Sequence, residues 1–180
     1  MPLIRLNNQS ISSVTALPSG VGGKILQVKQ TTKLDTFSTT SSSNTDVTGL
    51  SVAITPSSSS NKIFITASIS LGSANADKNL NLFLTRGDTE IYKADQSGSN
   101  RQRAGGGLHY HHGISTTVGT YSTNIMFLDS PSSTSELTYK IRANIGVNGG
   151  TLFINRTGDS TDDNNRASYP SSITVMEVLA

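Results

Sequence analysis

The chain of 180 residues contains no cysteine and no tryptophan, and only 6% of its residues are aromatic. Without cysteine, the fold cannot rest on disulfides or on thiolate-bound zinc, and catalysis by a thiol is excluded. Charged residues make up only 14% of the chain, with a net charge of +2. The basic residues are scattered, whereas nucleic-acid binding needs a clustered patch. We therefore expect no nucleic-acid partner.

Long hydrophobic runs are also missing. No apolar stretch approaches the ~20 residues that a membrane-spanning helix needs, and residues 1–23 lack the basic start and apolar block of a signal peptide. We therefore expect synthesis inside a cell and no membrane insertion.

Apolar and polar residues instead alternate in several stretches. The clearest apolar sets are Ile63, Ile65, Ala67, Ile69 and Leu71; Leu80, Leu82 and Leu84; and Leu137, Tyr139, Ile141, Ala143 and Ile145. A period of two places each set on one face of a half-buried β-strand. We count about nine or ten such segments between turn residues and no convincing helix, which predicts an all-β antiparallel sandwich or barrel.

The chain divides at a group of structure-breaking residues, Pro18, Gly20, Gly22 and Gly23. Before them lies an arm, residues 1–23, whose apolar residues follow no regular period. We interpret its apolar side chains as an anchor to a partner: Leu3, Ile4, Leu6 and Ile11. A frayed terminus is the alternative. Residues 24–180 form the β-domain.

The last predicted strand is apolar on both faces. Ile173 and Val175 lie on one face, and Met176 and Val178 on the other. A strand that is apolar on both sides is buried on both sides, so one face meets the core and the other meets something else. We predict that these four residues belong to a subunit interface, together with neighbouring strands that include 121–128. A loop folded over the strand is the alternative.

Metal binding is the first chemistry to consider. His109 and His111 point the same way on a strand, a spacing that suits metal ligands. Within one chain no carboxylate lies near them, although a trimer would offer six nitrogens. A polar surface strand is the favoured interpretation. Asp159, Asp162 and Asp163 match no calcium loop, so we expect a solvated turn.

Catalytic residues are not apparent. The few carboxylates form no pair at the spacing of a glycosidase, and no serine stands out beside a base. We predict that the protein is not an enzyme and needs no cofactor.

Six fragments resemble bacteriophage structural proteins usually described as tail fibre proteins, common in marine and cyanobacterial phages. They are GKILQV (23–28), DVTGLSVAITPSSSSNKIFI (46–65), FLDSP (127–131), TYKIRA (138–143), INR (154–156) and SSITVMEV (171–178). The resemblance covers residues 23–180. It implies a jelly-roll β-sandwich similar to the trimeric C1q and tumour-necrosis-factor heads, made in the host cytoplasm and displayed on the virion surface.

The resemblance implies a homotrimeric fibre head that attaches to other virion proteins through its arm and contacts host-surface polysaccharide. The chain lacks the long repetitive shaft of a tail fibre, so a capsid decoration protein that stabilises the shell without receptor binding is the alternative. The LHYHHG segment matches no motif of the group, which leaves receptor specificity open. As glycan contacts we select Arg101, Arg103, Tyr110 and Tyr121, because arginine forks and aromatic faces bind sugars and acidic groups.

Overall fold

The computed structural model describes residues 24–75, 78–95, 100–110, 118–146, 149–159 and 161–180. This part of the chain forms strands and no helix, and accordingly it offers no helix long and apolar enough to span a membrane. The strands are β1 (Ile25–Lys33), β2 (Phe37–Thr39), β3 (Thr45–Ile54), β4 (Lys62–Ser73), β5 (Lys78–Arg86), β6 (Thr89–Tyr92), β7 (Gly106–Tyr110), β8 (Tyr121–Asp129), β9 (Leu137–Ile145), β10 (Leu152–Ile154) and β11 (Ser171–Val178).

The strands build two antiparallel sheets. In the six-stranded sheet, β11 and β10 pair with successive parts of β4, β8 pairs with β4 as well, and β1 and β2 lie outside β11 and β10. In the five-stranded sheet the order is β3-β9-β5, with β6 and β7 both paired to β5. The first strand lies beside the last, and most neighbours are distant in sequence, as in a jelly roll. The predicted all-β sandwich is confirmed.

The core lies between the two sheets and uses the side chains that the alternation selected. Ile65 and Ile69 of β4 are fully buried, as are Leu82 of β5 and Ile141 of β9. Tyr139 is the largest fully buried side chain. Burial raises the pKa of its hydroxyl, which donates to Asp129 Oδ2 at 2.7 Å. The period-two pattern therefore identified the core-facing side of these strands.

One strand breaks the alternation. In β3, Val47 and Leu50 are both buried although three positions apart, and the pairing with β9 shifts between Asp46 and Ser51. Gly49 adopts φ +83° at this point, a left-handed conformation that glycine adopts without steric cost. The irregularity lets the strand return both apolar side chains to the core.

Candidate interaction surfaces

The outer face of the six-stranded sheet, turned away from the core, carries a row of apolar side chains across four strands. Val28 of β1 lies opposite Met176 of β11, Met176 opposite Phe64 of β4, and Phe64 opposite Leu128 of β8. Val28 is 53% exposed and Leu128 46% exposed, while Phe64 and Met176 are half-buried. We call these four residues the apolar row.

Further apolar side chains flank the row on the same face. Ile25 lies opposite Val178, and Met126 lies opposite Thr66 on the other side of the row. Ile25 is 53% exposed and Met126 65% exposed. Together with the row they expose on the order of 400 Å² of apolar surface, a size that on soluble monomers often marks an interaction site.

Beyond Met126 the same face becomes polar. Thr66 and Thr174 are followed by Ser68 and Ser172 in a shallow depression of about 370 Å³. Gln30 Nε2 donates to Thr174 Oγ1 at 2.8 Å across the β1–β11 pair. The face therefore has an apolar half and a hydroxyl-bearing half.

The outer face of the five-stranded sheet is different, because charged side chains of opposite sign pair across its strands. Lys140 Nζ donates to Asp46 Oδ2 at 3.1 Å, and Arg142 Nη2 donates to Asp88 Oδ1 at 2.9 Å. Arg142 also donates through Nε to Asp46, and this hydrogen bond lowers the pKa of the Asp46 carboxyl. A face of paired, hydrated charges loses more than it gains when another protein removes its water. The two outer faces are thus suited to different surroundings.

Side-chain amides continue this polar face toward β7. Asn81 Nδ2 donates to Gln102 Oε1 and, at 2.8 Å, to Asn144 Oδ1; Asn144 Nδ2 donates to Asn44 Oδ1 at 2.7 Å. Beside these amides lies a groove of about 320 Å³. Its lining residues are Asn79, Asn81, Asn100, Arg101, Gln102 and Gly146. We call it the amide groove.

The four predicted interface residues divide between the core and the surface. Ile173 and Val175 are 0% exposed and belong to the core cluster between the sheets. They cannot contact another subunit, because β11 turns this face toward the five-stranded sheet. Met176 and Val178 lie on the outer face of the six-stranded sheet. The interface itself stays a prediction, now with Met176 and Val178 as its candidates on β11.

The sequence did not reveal the rest of the apolar row. Phe64 lies between polar residues on the outer side of β4, whereas Leu128 has Met126 beside it on the outer side of β8. The signal in the sequence was an apolar residue at a strand position where the alternation predicts a polar one. β8 was named as a neighbour of the interface, and it lies in the same sheet as β11, with β4 between them.

The structure does not bring the four predicted glycan contacts together. Arg101 lines the amide groove, whereas Arg103 lies 4.0 Å from Asp95. Tyr121 is half-buried and packs against the core at the start of β8. The side chain of Tyr110 lies outside the described residues. Arg101 is therefore the predicted contact that the structure places in a groove.

The predicted metal ligands and anchor residues are mostly outside the described residues. His111 and the arm residues Leu3, Ile4, Leu6 and Ile11 fall there. His109 is described, and its Nδ1 lies 2.7 Å from Asn79 Oδ1. Where side chains are described, no three histidine or carboxylate groups gather as a metal site would require. Metal binding by His109 and His111, which the sequence made the less favoured interpretation, stays untested.

The turn that contains Asp159 satisfies its own carboxylate. Thr161 donates to Asp159 Oδ1 through its hydroxyl and its backbone N–H, and Arg166 Nη2 donates to Asp159 Oδ2 at 2.9 Å. The hydrogen bond from the Thr161 hydroxyl lowers the pKa of Asp159. Both oxygens of Asp159 therefore have hydrogen-bond partners within the turn.

A buried carboxylate at the end of β11 escaped the sequence analysis. Glu177 is 0% exposed, and its two oxygens accept four hydrogen bonds from neutral donors. These are Ser57 N at 2.7 Å, Ser57 Oγ at 2.8 Å, Asn61 Nδ2 at 2.6 Å and Gln27 Nε2 at 2.7 Å. Burial raises the pKa of the carboxyl, but the donors lower it more, to about 2. The cluster ties β11 to β1 and to the β3–β4 turn.

The chain was compared with known families, curated proteins and solved structures. No family model matches the chain, and no curated protein does. A chain in the structure of infectious bursal disease virus, Gx strain, is 13% identical with a TM-score of 0.42. The match covers 100% of this chain and 42% of that chain. A chain in the structure of the Gt strain is 14% identical with a TM-score of 0.40, and the match covers 100% of this chain and 43% of that chain. For the VP2 subviral particle of the same virus, the identity is 14% and the TM-score 0.39, and the match covers 86% of this chain and 38% of that chain. This chain spans less than half of those chains, and likenesses at such scores carry no argument about function.

Proposed function

We propose that the protein is a non-enzymatic structural subunit of a virion surface, a short fibre head that forms a homotrimer through the outer face of its six-stranded sheet. The observation that carries the proposal is the apolar row, Val28, Met176, Phe64 and Leu128, which no other described part of the chain covers. Burial of apolar area is the main favourable term in protein association. Two further copies around a three-fold axis can cover it, because most soluble oligomers are symmetric homo-oligomers and a cyclic trimer closes when each subunit contacts the next.

The contrast between the two sheets supports this choice of face. The five-stranded sheet pairs its charges within one chain through Asp46, Lys140, Asp88 and Arg142. The six-stranded sheet instead exposes Met126, Leu128 and Val28 on a flat surface. Self-association through the six-stranded sheet leaves the charged outer face of the five-stranded sheet in water, so that its charges are not desolvated.

The stoichiometry and the virion setting rest on the sequence. Residues 23–180 resemble phage fibre proteins with trimeric jelly-roll heads, and the jelly-roll order of the strands agrees with that resemblance. In this proposal the arm, through Leu3, Ile4, Leu6 and Ile11, attaches the head to other virion proteins. The five-stranded sheets then face outward, where three copies can contact host polysaccharide with added avidity.

The test is the oligomeric state of variants that place charge on the proposed interface. Met126→Lys combined with Leu128→Lys puts two ammonium groups on the exposed part of the face, which should disfavour association strongly because buried unpaired charges are costly. The matched control is Ser51→Lys with Ala53→Lys, at exposed positions on β3 in the other sheet. Sedimentation velocity at micromolar concentration measures the species.

We expect trimers for the wild type and the control, and a folded monomer for the Met126/Leu128 variant, with circular dichroism confirming that each is folded. A wild-type protein that sediments as a folded monomer at micromolar concentration would refute the assembly. An interface variant that stays trimeric would move the interface to another surface.

A further inference from the structure

The amide groove adds side-chain amides to Arg101, which the sequence had already suggested as a glycan contact. Its lining joins Asn79 and Asn81 of β5 and Gly146, just after β9, with Arg101 and Gln102 of the segment before β7. Its volume of about 320 Å³ lies at the lower end of the range of small-ligand sites. The groove belongs to the five-stranded sheet, on the opposite side of the sandwich from the apolar row.

The amides at the groove hold one another in place. Asn144 is 5% exposed, accepts a hydrogen bond from Asn81 and donates one to Asn44. Asn81 also donates to Gln102. An amide has two N–H donors and one carbonyl acceptor, so both donors of Asn81 are used. Within the described part of the chain, no hydrogen bond engages Asn81 Oδ1 or Gln102 Nε2, so the groove offers an acceptor and a donor such as a sugar hydroxyl pair requires.

Among the described residues that line the groove, the one charged side chain is positive. It belongs to Arg101, which is exposed, and no carboxylate is among those lining residues. Arg101 forms no ion pair with any described carboxylate, whereas Arg103, two residues away, approaches Asp95 at 4.0 Å. A guanidinium without an acidic neighbour is available for a carboxylate of a ligand, which it can bind through two parallel hydrogen bonds.

We propose that the amide groove binds a carboxylate-bearing sugar of an acidic polysaccharide. The amides contact hydroxyl groups, and Arg101 contacts the carboxylate. The inference deepens the proposed function and rests on it for the setting, since a groove on the outward sheet of a trimer is accessible in all three copies. A single contact of this kind is weak, and three per head raise the apparent affinity.

The test measures binding of the full chain to oligogalacturonate and to alginate oligomers by isothermal titration calorimetry. The same oligogalacturonate after reduction of its carboxyl groups is the neutral comparison. We expect reduction of the carboxyl groups to weaken binding about tenfold, which is the effect of one charge-assisted hydrogen bond. Binding should also weaken as salt is raised.

Two variants and one control locate the site. Arg101→Ala should weaken oligogalacturonate binding about tenfold and remove the preference for the unreduced sugar. Gln102→Ala should weaken binding of both forms, because it removes a hydroxyl contact. Arg103→Ala, with the same loss of charge on the same segment, should stay within about twofold of the wild type. Thermal unfolding of each variant checks that the fold is kept.

Several results would refute the proposal that the amide groove binds a carboxylate-bearing sugar. They are no binding of either oligouronate at millimolar concentration, equal binding of the reduced sugar, or equal losses for Arg101→Ala and Arg103→Ala. Sedimentation of the same samples separates the two proposals. If the protein is a trimer but binds no uronate, the proposed binding at the amide groove is refuted and the proposed assembly is not. If it is a folded monomer that binds uronate through Arg101, the proposed assembly is refuted and the proposed binding is not.

Discussion

Replacing Glu177 by glutamine should cost stability at neutral pH but not in acid. Glutamine keeps the shape of the side chain and an oxygen for Ser57 and Asn61, while the negative charge is lost. The ionised carboxylate of Glu177 is favoured in the folded protein because its pKa lies near 2, below the value of 4.5 of an unperturbed glutamate. Its contribution to folding is therefore fully present above pH 4.5 and is lost as the pH falls through about 2.

The size of the effect follows from the pKa difference. At about 1.4 kcal/mol per pH unit, the shift corresponds to roughly 3–4 kcal/mol of folding free energy at pH 7. Glutamine resembles the protonated acid, so Glu177→Gln should be less stable than the wild type by about that amount at pH 7, or about 7–14 °C in Tm for a chain of this length. The difference between the two proteins should shrink by about 1 kcal/mol per pH unit below pH 4.5.

Urea unfolding followed by circular dichroism at pH 7, 4.5, 4 and 3 measures this difference. Protein concentration must be the same throughout, because association stabilises the folded state. Titration of the other carboxylates is common to both proteins and cancels in the comparison. Glu136→Gln, at an exposed position, is the control and should change stability by less than about 0.5 kcal/mol. A Glu177→Gln difference that is below 0.5 kcal/mol at pH 7, or that does not vary with pH, would refute the reasoning.

Two further substitutions test the core and the edge of the five-stranded sheet. Tyr139→Phe removes the hydroxyl that donates to Asp129 at 2.7 Å in the core and should cost about 1–2 kcal/mol in urea unfolding; an unchanged midpoint would contradict it. Gly107→Ala places a Cβ 2.1 Å from the Leu80 carbonyl oxygen at φ +143° and should cost about 2 kcal/mol or more, with amide hydrogen exchange speeding up in β7. Gly87→Ala, at φ +58° with open space around it, should lose only about 1–2 kcal/mol, and equal losses at the two glycines would exclude the clash as the cause.

Strand β11 shows what apolar–polar alternation can and cannot predict. Ile173, Val175, Met176 and Val178 are apolar on both faces, and the sequence predicted two different environments for them. It did not distinguish which face turns to the core, because both faces have the same period. The register with β1 and β4 decides the matter and leaves Met176 and Val178 outside.

Glu177 illustrates a different limit. From the sequence it is one carboxylate among several, next to apolar residues. Its donors come from Gln27, Ser57 and Asn61, of which Gln27 is 150 residues away. No local pattern predicts such a cluster, since hydrogen bonds between distant segments depend on how the strands are ordered in the sheet.

Alternation and composition are local properties of the chain, and they predict the all-β class, the core-facing side of most strands and the absence of thiol chemistry. Which surface residues lie together depends on the tertiary structure. Val28, Phe64, Leu128 and Met176 lie on four different strands, and the antiparallel register aligns them into one row. The amide groove likewise exists because β5, β9 and the segment before β7 meet. Surfaces of this kind are formed by residues that are distant in sequence, whereas the buried face of a strand can be predicted from the residues of that strand.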